Sequence, residues 1–194
     1  MQLHALKNRL YAQTVERGEL PLRPGVRTLL EACRAGDVRL ALVTTTSRAN
    51  AVALLRAHLG EPWAQWFSVT VCGEDVQHKK PDPEAYQLAL RALDIAPLDA
   101  MAIEDSPAGA AAARAAAVPV IVARSRYFLD AGFDGVTAIG SGLHTRQGWR
   151  PALPDAATDP RGVTLPDLMH WHATSGISLN STFSAAPGHS IGVY

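Results

Sequence analysis

The sequence predicts an α/β fold of the doubly wound, Rossmann-like kind, in which helices cover both faces of a parallel sheet. Short apolar runs rich in β-branched residues alternate with amphipathic helical segments from about residue 26 to about residue 122. Such runs are typical of strands buried on both faces, and their alternation with helices implies right-handed crossovers. With 194 residues, 47% of them hydrophobic and 19% charged, the chain is long and apolar enough for one well-buried domain.

The predicted elements follow one another in chain order. Apolar residues at helical spacing predict helices over residues 3–17, 26–34, 48–59, 83–93, 107–117 and 165–172. Apolar runs predict strands over residues 39–43, 67–71, 101–103, 118–122 and 135–139. The prolines at positions 21 and 24 break the first helix and predict a hinge. Residues 173–194 are rich in Ser, Gly, Ala and Thr without periodicity, so we expect a poorly ordered tail.

The charge balance and the cysteines indicate which kind of partner and which cellular compartment to expect. Eighteen basic residues balance eighteen acidic ones, so no net field would draw the chain onto nucleic acid or an anionic membrane surface. The longest apolar stretch contains Pro119 and is less than half of the roughly 20 residues that span a bilayer. Cys33 and Cys72 lie in or beside apolar segments, as buried thiols in a reducing compartment do. We therefore expect a cytoplasmic protein with a small-molecule partner.

Polar residues follow two of the predicted strands, where an open parallel sheet binds its ligands. The strand at residues 39–43 runs into Thr44-Thr45-Thr46-Ser47, whose hydroxyls and backbone N–H groups could hold a phosphate or cap a helix. The strand at residues 101–103 runs into Glu104-Asp105-Ser106-Pro107. Two adjacent carboxylates suit Mg²⁺, although Asp105 or Ser106 could also cap the next helix.

A loop punctuated by prolines follows the strand at residues 67–71. It carries Lys79-Lys80-Pro81-Asp82-Pro83, in which a lysine could act as a fixed charge on a phosphoryl oxygen or be solvated. Asp82 and Pro83 are most simply the cap and first residue of a helix. Because parallel strands end at one edge of a sheet, we expect Thr44, Lys80 and the Glu104-Asp105 pair to meet there.

These motifs, in this order, resemble the haloacid dehalogenase superfamily, in the branch of CbbY, phosphoglycolate phosphatase and β-phosphoglucomutase. The resemblance covers about residues 3–172. The passages that carry it are Leu22-Arg23-Pro24-Gly25-Val26, Leu42-Val43-Thr44-Thr45-Thr46-Ser47, Lys79-Lys80-Pro81-Asp82-Pro83 and Ile103-Glu104-Asp105-Ser106-Pro107-Ala108-Gly109.

The resemblance implies a Mg²⁺-dependent phosphatase of small sugar phosphates. In this superfamily an aspartate on the first strand attacks phosphorus, and water hydrolyses the resulting aspartyl-phosphate. By position, Thr44 and Lys80 would be catalytic and would bind phosphate together with Thr45 and Thr46. The Mg²⁺ ion would be bound by Asp105 with help from Glu104. Residues 1–20 would be the last helix of an α-helical cap and its hinge, residues 21–172 the α/β core, and residues 173–194 the tail.

The sequence departs from this pattern in two places. The D-x-D-x-T strand that supplies the nucleophile is absent, and Asp37, the only aspartate before Thr44, precedes a strand rather than following one. We therefore expect an N-terminally truncated core without its first, central strand, which would expose apolar sheet edges and favour self-association. Ala117 stands where this branch usually has glycine.

Two alternatives share the visible motifs. The chain could be a non-catalytic remnant that serves as a binding scaffold and offers Thr44 and Lys80 as an anion site. It could also belong to a phosphomutase of the β-phosphoglucomutase kind, which only the missing acid/base region and cap would distinguish. In either case we expect no turnover by the chain itself, since no residue can replace the missing nucleophile.

Overall fold

The computed structural model describes residues 14–15, 20–157, 159 and 161–175, and the backbone of residues 190–193. Residues 14–15 are helical, and the rest of the predicted helix over residues 3–17 lies outside the described residues. The helices are α1 (Val26–Ala35), α2 (Arg48–Leu59), α3 (Glu84–Leu93), α4 (Pro107–Ala115) and α5 (Leu165–Thr174). The strands are β1 (Arg39–Val43), β2 (Val69–Val71), β3 (Ala100–Glu104), β4 (Val120–Ala123), β5 (Ala138–Gly140) and β6 (Ser190–Val193). The predicted order of elements from residue 26 to residue 172 is therefore confirmed.

The six strands form one parallel sheet in the order β2-β1-β6-β3-β4-β5. Helices alternate with the parallel strands β1 to β4: α2 and α4 each connect two neighbouring strands, and α3 crosses from β2 to β3 on the other side of β1 and β6, which is the doubly wound arrangement. The predicted fold class is confirmed. The sequence predicted a gap between β1 and β3, with exposed strand edges that would favour self-association. In the structure β6 lies in this gap and pairs with both strands.

Strand β6 lies within residues 173–194, for which the sequence predicted a poorly ordered tail. Its Ile191 lies opposite Leu40 on one side and Met101 on the other. The pattern of Ser190-Ile191-Gly192-Val193 is too short to show strand periodicity, so the sequence alone gives no signal. The unpaired N–H and C=O groups of β1 and β3 supply the driving force instead, because buried backbone groups need hydrogen-bond partners. The sheet centre is therefore filled from the far end of the sequence.

The alternation of side chains along β1 divides the core into two layers. Leu40 and Leu42 pack with α1, α2 and α5, whereas Ala41 and Val43 pack with α3 and α4. The first layer is the larger and includes the fully buried Trp171, whose ring lies 4.5 Å from that of Trp149 between centroids. The second layer is rich in alanine, which lets α3 and α4 approach the sheet closely. Both faces of the sheet are thus covered, as the sequence predicted.

Hydroxyl caps begin two of the helices that follow the strands. The Ser47 hydroxyl accepts a hydrogen bond from the backbone N–H of Asn50, 3.3 Å away, and begins α2. The Ser106 hydroxyl accepts from the N–H of Gly109 at 3.1 Å and begins α4. The capping alternatives for Ser47 and Ser106 are confirmed, and the cap of α4 is Ser106 rather than Asp105. Both caps fix the turn between a strand end and its helix.

The two cysteines are buried free thiols. Burial raises the pKa of Cys33 to about 11. The pKa of Cys72 is also raised, mainly by burial, against an opposing effect of Arg48. Both side chains therefore stay protonated at neutral pH and behave as small core residues rather than nucleophiles. This confirms the prediction of buried thiols.

The helices of the described part of the chain are all too short or too polar to cross a lipid bilayer.

Ala117 lies just after the C-cap of α4 in a strained conformation, and replacing it by glycine is expected to stabilise the protein. Its φ is +60°, a left-handed value that costs a residue with a Cβ about 1 kcal/mol or more. The side chain is exposed, so Ala117→Gly loses no buried contact and should raise the free energy of unfolding by about 1 kcal/mol. Urea unfolding measures the difference. The matched control Ala111→Gly, exposed in the middle of the same helix, should instead lower it by about 1 kcal/mol.

Candidate functional site

The six predicted site residues line one cavity at the carboxyl edge of the sheet. The cavity has a volume of about 500 Å³. The residues are Thr44, Thr45, Thr46, Lys80, Glu104 and Asp105. They meet because β1 and β3, one on each side of β6, are parallel and end at the same level. As predicted, the hydroxyl turn, the lysine and the carboxylate pair therefore lie together at this edge.

The rest of the cavity wall is mostly apolar, apart from Arg23 and Ser106. It comes from the residues just before α1, from α1 and α2 and from the turn before β2, and includes Leu20, Leu22, Val26, Leu30, Leu55 and Phe67. Polar groups thus lie at one end of a mostly hydrophobic pocket, which is the usual composition of a small-molecule site.

Lys80 is the buried cation of the site. Its Nζ donates to the carbonyl oxygen of Val43 at 2.9 Å and to Glu104 Oε1 at 2.6 Å. The two charged side chains are 9% and 3% exposed, respectively. Nζ also lies 5.0 Å from the centroid of the Tyr86 ring, within the range of a cation–π contact. The ammonium is therefore held at the end of β1, beside the first threonine of the hydroxyl turn.

Glu104 is fixed from two sides by residues that the sequence analysis did not single out. The Tyr86 hydroxyl donates to Oε1 at 2.6 Å. On the other side Gly109 lies so close that a Cβ there would be 1.8 Å from Oε2. Both carry a signal in the sequence: a tyrosine within the apolar stripe of α3 needs a hydrogen-bond partner, and a glycine inside a helix often marks a close approach. The carboxylate of Glu104 is thus oriented toward Lys80.

The hydroxyl turn after β1 is held by the neighbouring strand. The N–H of Thr44 donates to the carbonyl of Val71 at 2.8 Å, and the N–H of Gly73 donates to the carbonyl of Thr46 at 2.8 Å. A Cβ on Gly73 would lie 2.5 Å from the Thr45 carbonyl oxygen, so only glycine allows this approach. The Thr44 hydroxyl accepts from the N–H of Thr46 at 3.2 Å, which leaves its O–H able to donate to an anion.

Asp105 is the more accessible carboxylate of the pair. Its side chain is 43% exposed, and its Oδ2 lies 3.7 Å from Nη1 of Arg23. The guanidinium of Arg23 also donates to the carbonyls of Ala123 and Arg124, at 2.8 and 2.6 Å, and so ties the segment before α1 to the end of β4. Exposed carboxylate oxygens at this edge fit Mg²⁺, a hard cation that takes oxygen ligands. Because Lys80 and Tyr86 engage Glu104 Oε1, Asp105 is better placed for direct contact with a metal.

Glu84 holds the loop that precedes Lys80 in place through hydrogen bonds. Glu84 accepts hydrogen bonds from the backbone N–H groups of Gln77, at 2.9 Å, and His78, at 2.7 Å, and its Oε2 lies 3.0 Å from His78 Nδ1. Asp82 accepts from the N–H of Glu84 at 2.9 Å. The helix α3 begins at Glu84 and its N-cap is Pro83, so the prediction of Asp82 as the cap and Pro83 as the first helical residue is wrong by one position. The ligand atoms of His78, Asp82 and Glu84 lie within 4.8 Å of one another. Because Glu84 and Asp82 accept hydrogen bonds from backbone N–H groups and the His78 ring contacts Glu84, we interpret this cluster as a clamp that holds the loop.

The clamp is expected to weaken in acid. Backbone hydrogen bonds from Gln77 and His78 hold the pKa of Glu84 below its usual value of 4.5. A lowered pKa in the folded state means that the contribution to stability is complete above pH 4.5 and is lost as the pH falls through the lowered value. Glu84→Gln should therefore unfold at lower urea than the wild type at neutral pH. The difference should shrink below pH 4.5, and a difference independent of pH would contradict the clamp.

Comparisons with known proteins agree on one family. Residues 2–117 match the haloacid dehalogenase-like hydrolases. CbbY of Rhodobacter capsulatus is 41% identical over 125 residues, which cover 64% of this chain and 55% of that protein. CbbY encoded on a plasmid of Cupriavidus necator is 37% identical over 171 residues, which cover 88% of this chain and 66% of that protein.

A solved structure shows the same fold. Mutant CbbY of Rhodobacter sphaeroides, in complex with xylulose-1,5-bisphosphate, superposes with a TM-score of 0.70 at 38% sequence identity. The match covers 73% of this chain and 63% of that one. The chain therefore spans between about half and two thirds of the length of these relatives, from 55% to 66% for the two sequences. On this evidence the chain belongs to the haloacid dehalogenase-like hydrolases, in the branch that contains CbbY.

Proposed function

We propose that the cavity binds the phosphate group of a small sugar phosphate together with Mg²⁺. The observation that carries the proposal is the meeting of Thr44, Lys80 and Asp105 around one cavity. Lys80 supplies a fixed positive charge at the end of β1, and Thr44 supplies a hydroxyl donor beside it. Thr45 and Thr46 extend the same turn and add donors for the remaining phosphate oxygens.

In this proposal Asp105 holds the metal and Glu104 acts on Lys80. Mg²⁺, when bound, would neutralise charge on the phosphoryl oxygens. Glu104 keeps the Lys80 ammonium at one position through a contact of 2.6 Å, so the cation need not reorganise when phosphate arrives. Tyr86 and Gly109 keep the Glu104 carboxylate in place in turn.

The complete reaction we propose is phosphate-ester hydrolysis in two steps, through an aspartyl-phosphate. An aspartate outside these 194 residues would attack phosphorus, since the sequence has no D-x-D and Asp105 is assigned to the metal. The apolar wall that includes Leu22 and Phe67 would face the carbon part of the ester. A relative bound to xylulose-1,5-bisphosphate supports a phosphorylated sugar as the substrate class.

A second candidate is a non-catalytic anion-binding scaffold, and β6 favours it. Within the described residues, strand β6 occupies the position between β1 and β3 at which the sequence predicted a gap. Under this alternative Thr44 and Lys80 hold an anion that is not turned over. Both candidates predict no hydrolysis of p-nitrophenyl phosphate by the chain with Mg²⁺. Hydrolysis that is lost on Asp105→Ala would contradict that expectation and place the nucleophile within the chain.

The phosphate site itself is tested by calorimetric titration with inorganic phosphate in the presence of MgCl₂. Lys80→Met should weaken phosphate binding by about tenfold or more, because a buried charge-assisted contact contributes about 1.5–3 kcal/mol. Lys79→Met removes an adjacent, exposed lysine and is the matched control, with binding close to that of the wild type. Equal affinities for the wild type and Lys80→Met would contradict the proposed role of Lys80.

A further inference from the structure

We propose that a second, small cavity beside the phosphate site binds a small carboxylate of the size of formate or acetate. Its volume is about 80 Å³, several times the roughly 10–15 Å³ that one water molecule needs. It lies on the α1 side of the sheet, between the ends of β3 and β4 and the turn that follows β5, with Ser141 and His144 at its exposed rim. Arg23 lines both cavities, so the two sites share one guanidinium.

The turn after β5 brings buried backbone N–H groups to this small cavity. Gly142 and Leu143 are both buried, and both line it. Neither of their backbone N–H groups donates a hydrogen bond to an atom of the residues that the structure describes. A buried N–H without an acceptor is costly and usually indicates a bound water or ion. Successive backbone N–H groups in a turn commonly bind an anion.

This turn is held in place by its neighbours. The Leu143 carbonyl accepts a hydrogen bond from the N–H of Val163 at 2.9 Å. A Cβ on Gly25 would lie 2.7 Å from the backbone nitrogen of His144. A Cβ on Gly162 would lie 2.6 Å from the Leu143 carbonyl oxygen. Because the surrounding backbone packs so closely, the N–H groups of the turn need not reorganise when an anion binds.

Arg23 supplies the positive charge of the small cavity. Two of its N–H groups donate to the carbonyls of Ala123 and Arg124, at 2.8 and 2.6 Å. These bonds fix the guanidinium at the end of β4. An arginine carries more donors than these, so others can bind an anion in the cavity. A hydrogen bond between charged groups is stronger than one between neutral groups.

The charges around the small cavity favour a carboxylate over a phosphate dianion. Asp105 Oδ2 lies 3.7 Å from Nη1 of Arg23, so this guanidinium already faces one negative charge. The Glu104 carboxylate faces α3 and α4 instead, where Lys80 and Tyr86 bind its Oε1. A phosphate dianion would bring twice the negative charge of a carboxylate and would be repelled more strongly by Asp105.

The shared guanidinium couples the small cavity to the proposed Mg²⁺ site, and this consequence rests on the proposed function. A carboxylate in the small cavity would neutralise charge of Arg23 that otherwise faces Asp105. Mg²⁺ at Asp105 would then meet less repulsion. Each ligand should therefore tighten the binding of the other by the same factor, so that a small carboxylate promotes Mg²⁺ binding.

The test adds sodium acetate to the isotope-labelled full chain and follows the backbone amide shifts by NMR. The buffer is free of chloride, and sodium sulfate keeps the ionic strength constant. The largest changes should fall on Gly142 and Leu143. Acetamide, which has nearly the size and shape of acetate but no charge, should leave both amides unchanged. Magnesium sulfate should tighten acetate binding about fivefold.

Arg23→Met should weaken acetate binding by about tenfold or more, because it removes a charge-assisted contact. The matched control is Arg27→Met, which removes an exposed arginine of α1 that pairs with Glu31. This control should bind acetate as the wild type does. The comparison of acetate with acetamide uses the wild type alone, so it decides the question even if Arg23→Met does not fold.

The outcomes separate this inference from the proposed function. Unchanged amides of Gly142 and Leu143 at saturating acetate, or equal changes with acetamide, would overturn the carboxylate site. Acetate binding there without a phosphate response at Thr44 would support the carboxylate site and overturn the phosphate site. Phosphate binding that depends on Lys80, without acetate binding, would do the reverse. An acetate affinity that Mg²⁺ leaves unchanged would overturn the coupling through Arg23.

Discussion

Replacing Glu104 by alanine is expected to lower the free energy of unfolding by about 3–5 kcal/mol, because it leaves a buried ammonium without its counter-charge. The side chain of Lys80 is 9% exposed and that of Glu104 is 3% exposed, so water cannot easily replace the lost partner. The Tyr86 hydroxyl loses its acceptor in the same variant, which adds to the cost. Urea unfolding followed by circular dichroism measures the change.

The control for Glu104→Ala removes both charges together. Lys80→Met with Glu104→Gln keeps an acceptor for the Tyr86 hydroxyl and leaves no buried charge, so its stability should lie closer to that of the wild type. An unfolding midpoint for Glu104→Ala equal to that of the wild type would show that the pair is open to solvent. The proposed fixed position of the Lys80 ammonium would then lose its basis.

Replacing Ile191 by proline is expected to lower the free energy of unfolding by about 3 kcal/mol or more, because proline removes a ladder hydrogen bond from the interior of a sheet. Strand β6 joins the pair β2-β1 to the trio β3-β4-β5, so its loss divides the sheet. The exposed backbone edges of β1 and β3 should then promote association. Size-exclusion chromatography at several concentrations, together with urea unfolding, measures both effects.

A conservative variant separates the backbone from the side chain at this position. Ile191→Val keeps the N–H and the β-branched shape, so it should stay within about 1.5 kcal/mol of the wild type. Equal stability and a monomeric state for Ile191→Pro would mean that β6 does not support the sheet.

The fold was predictable because local sequence and tertiary structure agree along most of the core. In β1 the large Leu40 and Leu42 alternate with the smaller Ala41 and Val43, and the two sets pack on opposite faces. The hydroxyls of Ser47 and Ser106 mark the starts of α2 and α4, and both make the expected cap. Each of these features involves residues close in sequence, so a single chain carries enough information to predict them.

Part of the site could be predicted, because the topology of a parallel sheet brings the ends of its strands together. Parallel strands end at one edge, so residues that follow β1 and β3 had to meet once the fold was correct. Tyr86 and Gly109 carry a local signal, but that signal does not tell which residue each one contacts, and Arg23 carries no such signal. Arg23 reaches carbonyls a hundred residues away, and no local pattern reports such a contact.

Strand β6 was not predictable from local pattern at all. Four residues give no periodicity, and its pairing is decided by the open edges of β1 and β3 rather than by its own propensity. Ala117 shows the converse, since an alanine in a left-handed conformation persists where the surrounding core dictates the backbone. Both cases are tertiary effects that override local preference.

Backbone amide chemical shifts, followed by NMR while inorganic phosphate is added in the presence of MgCl₂, test the phosphate site most directly. The site predicts that the largest changes fall on Thr44, Thr45, Thr46 and Asp105, with smaller changes across the remaining described residues. Changes centred instead on the exposed loop near His78, or no changes at saturating phosphate, would contradict it.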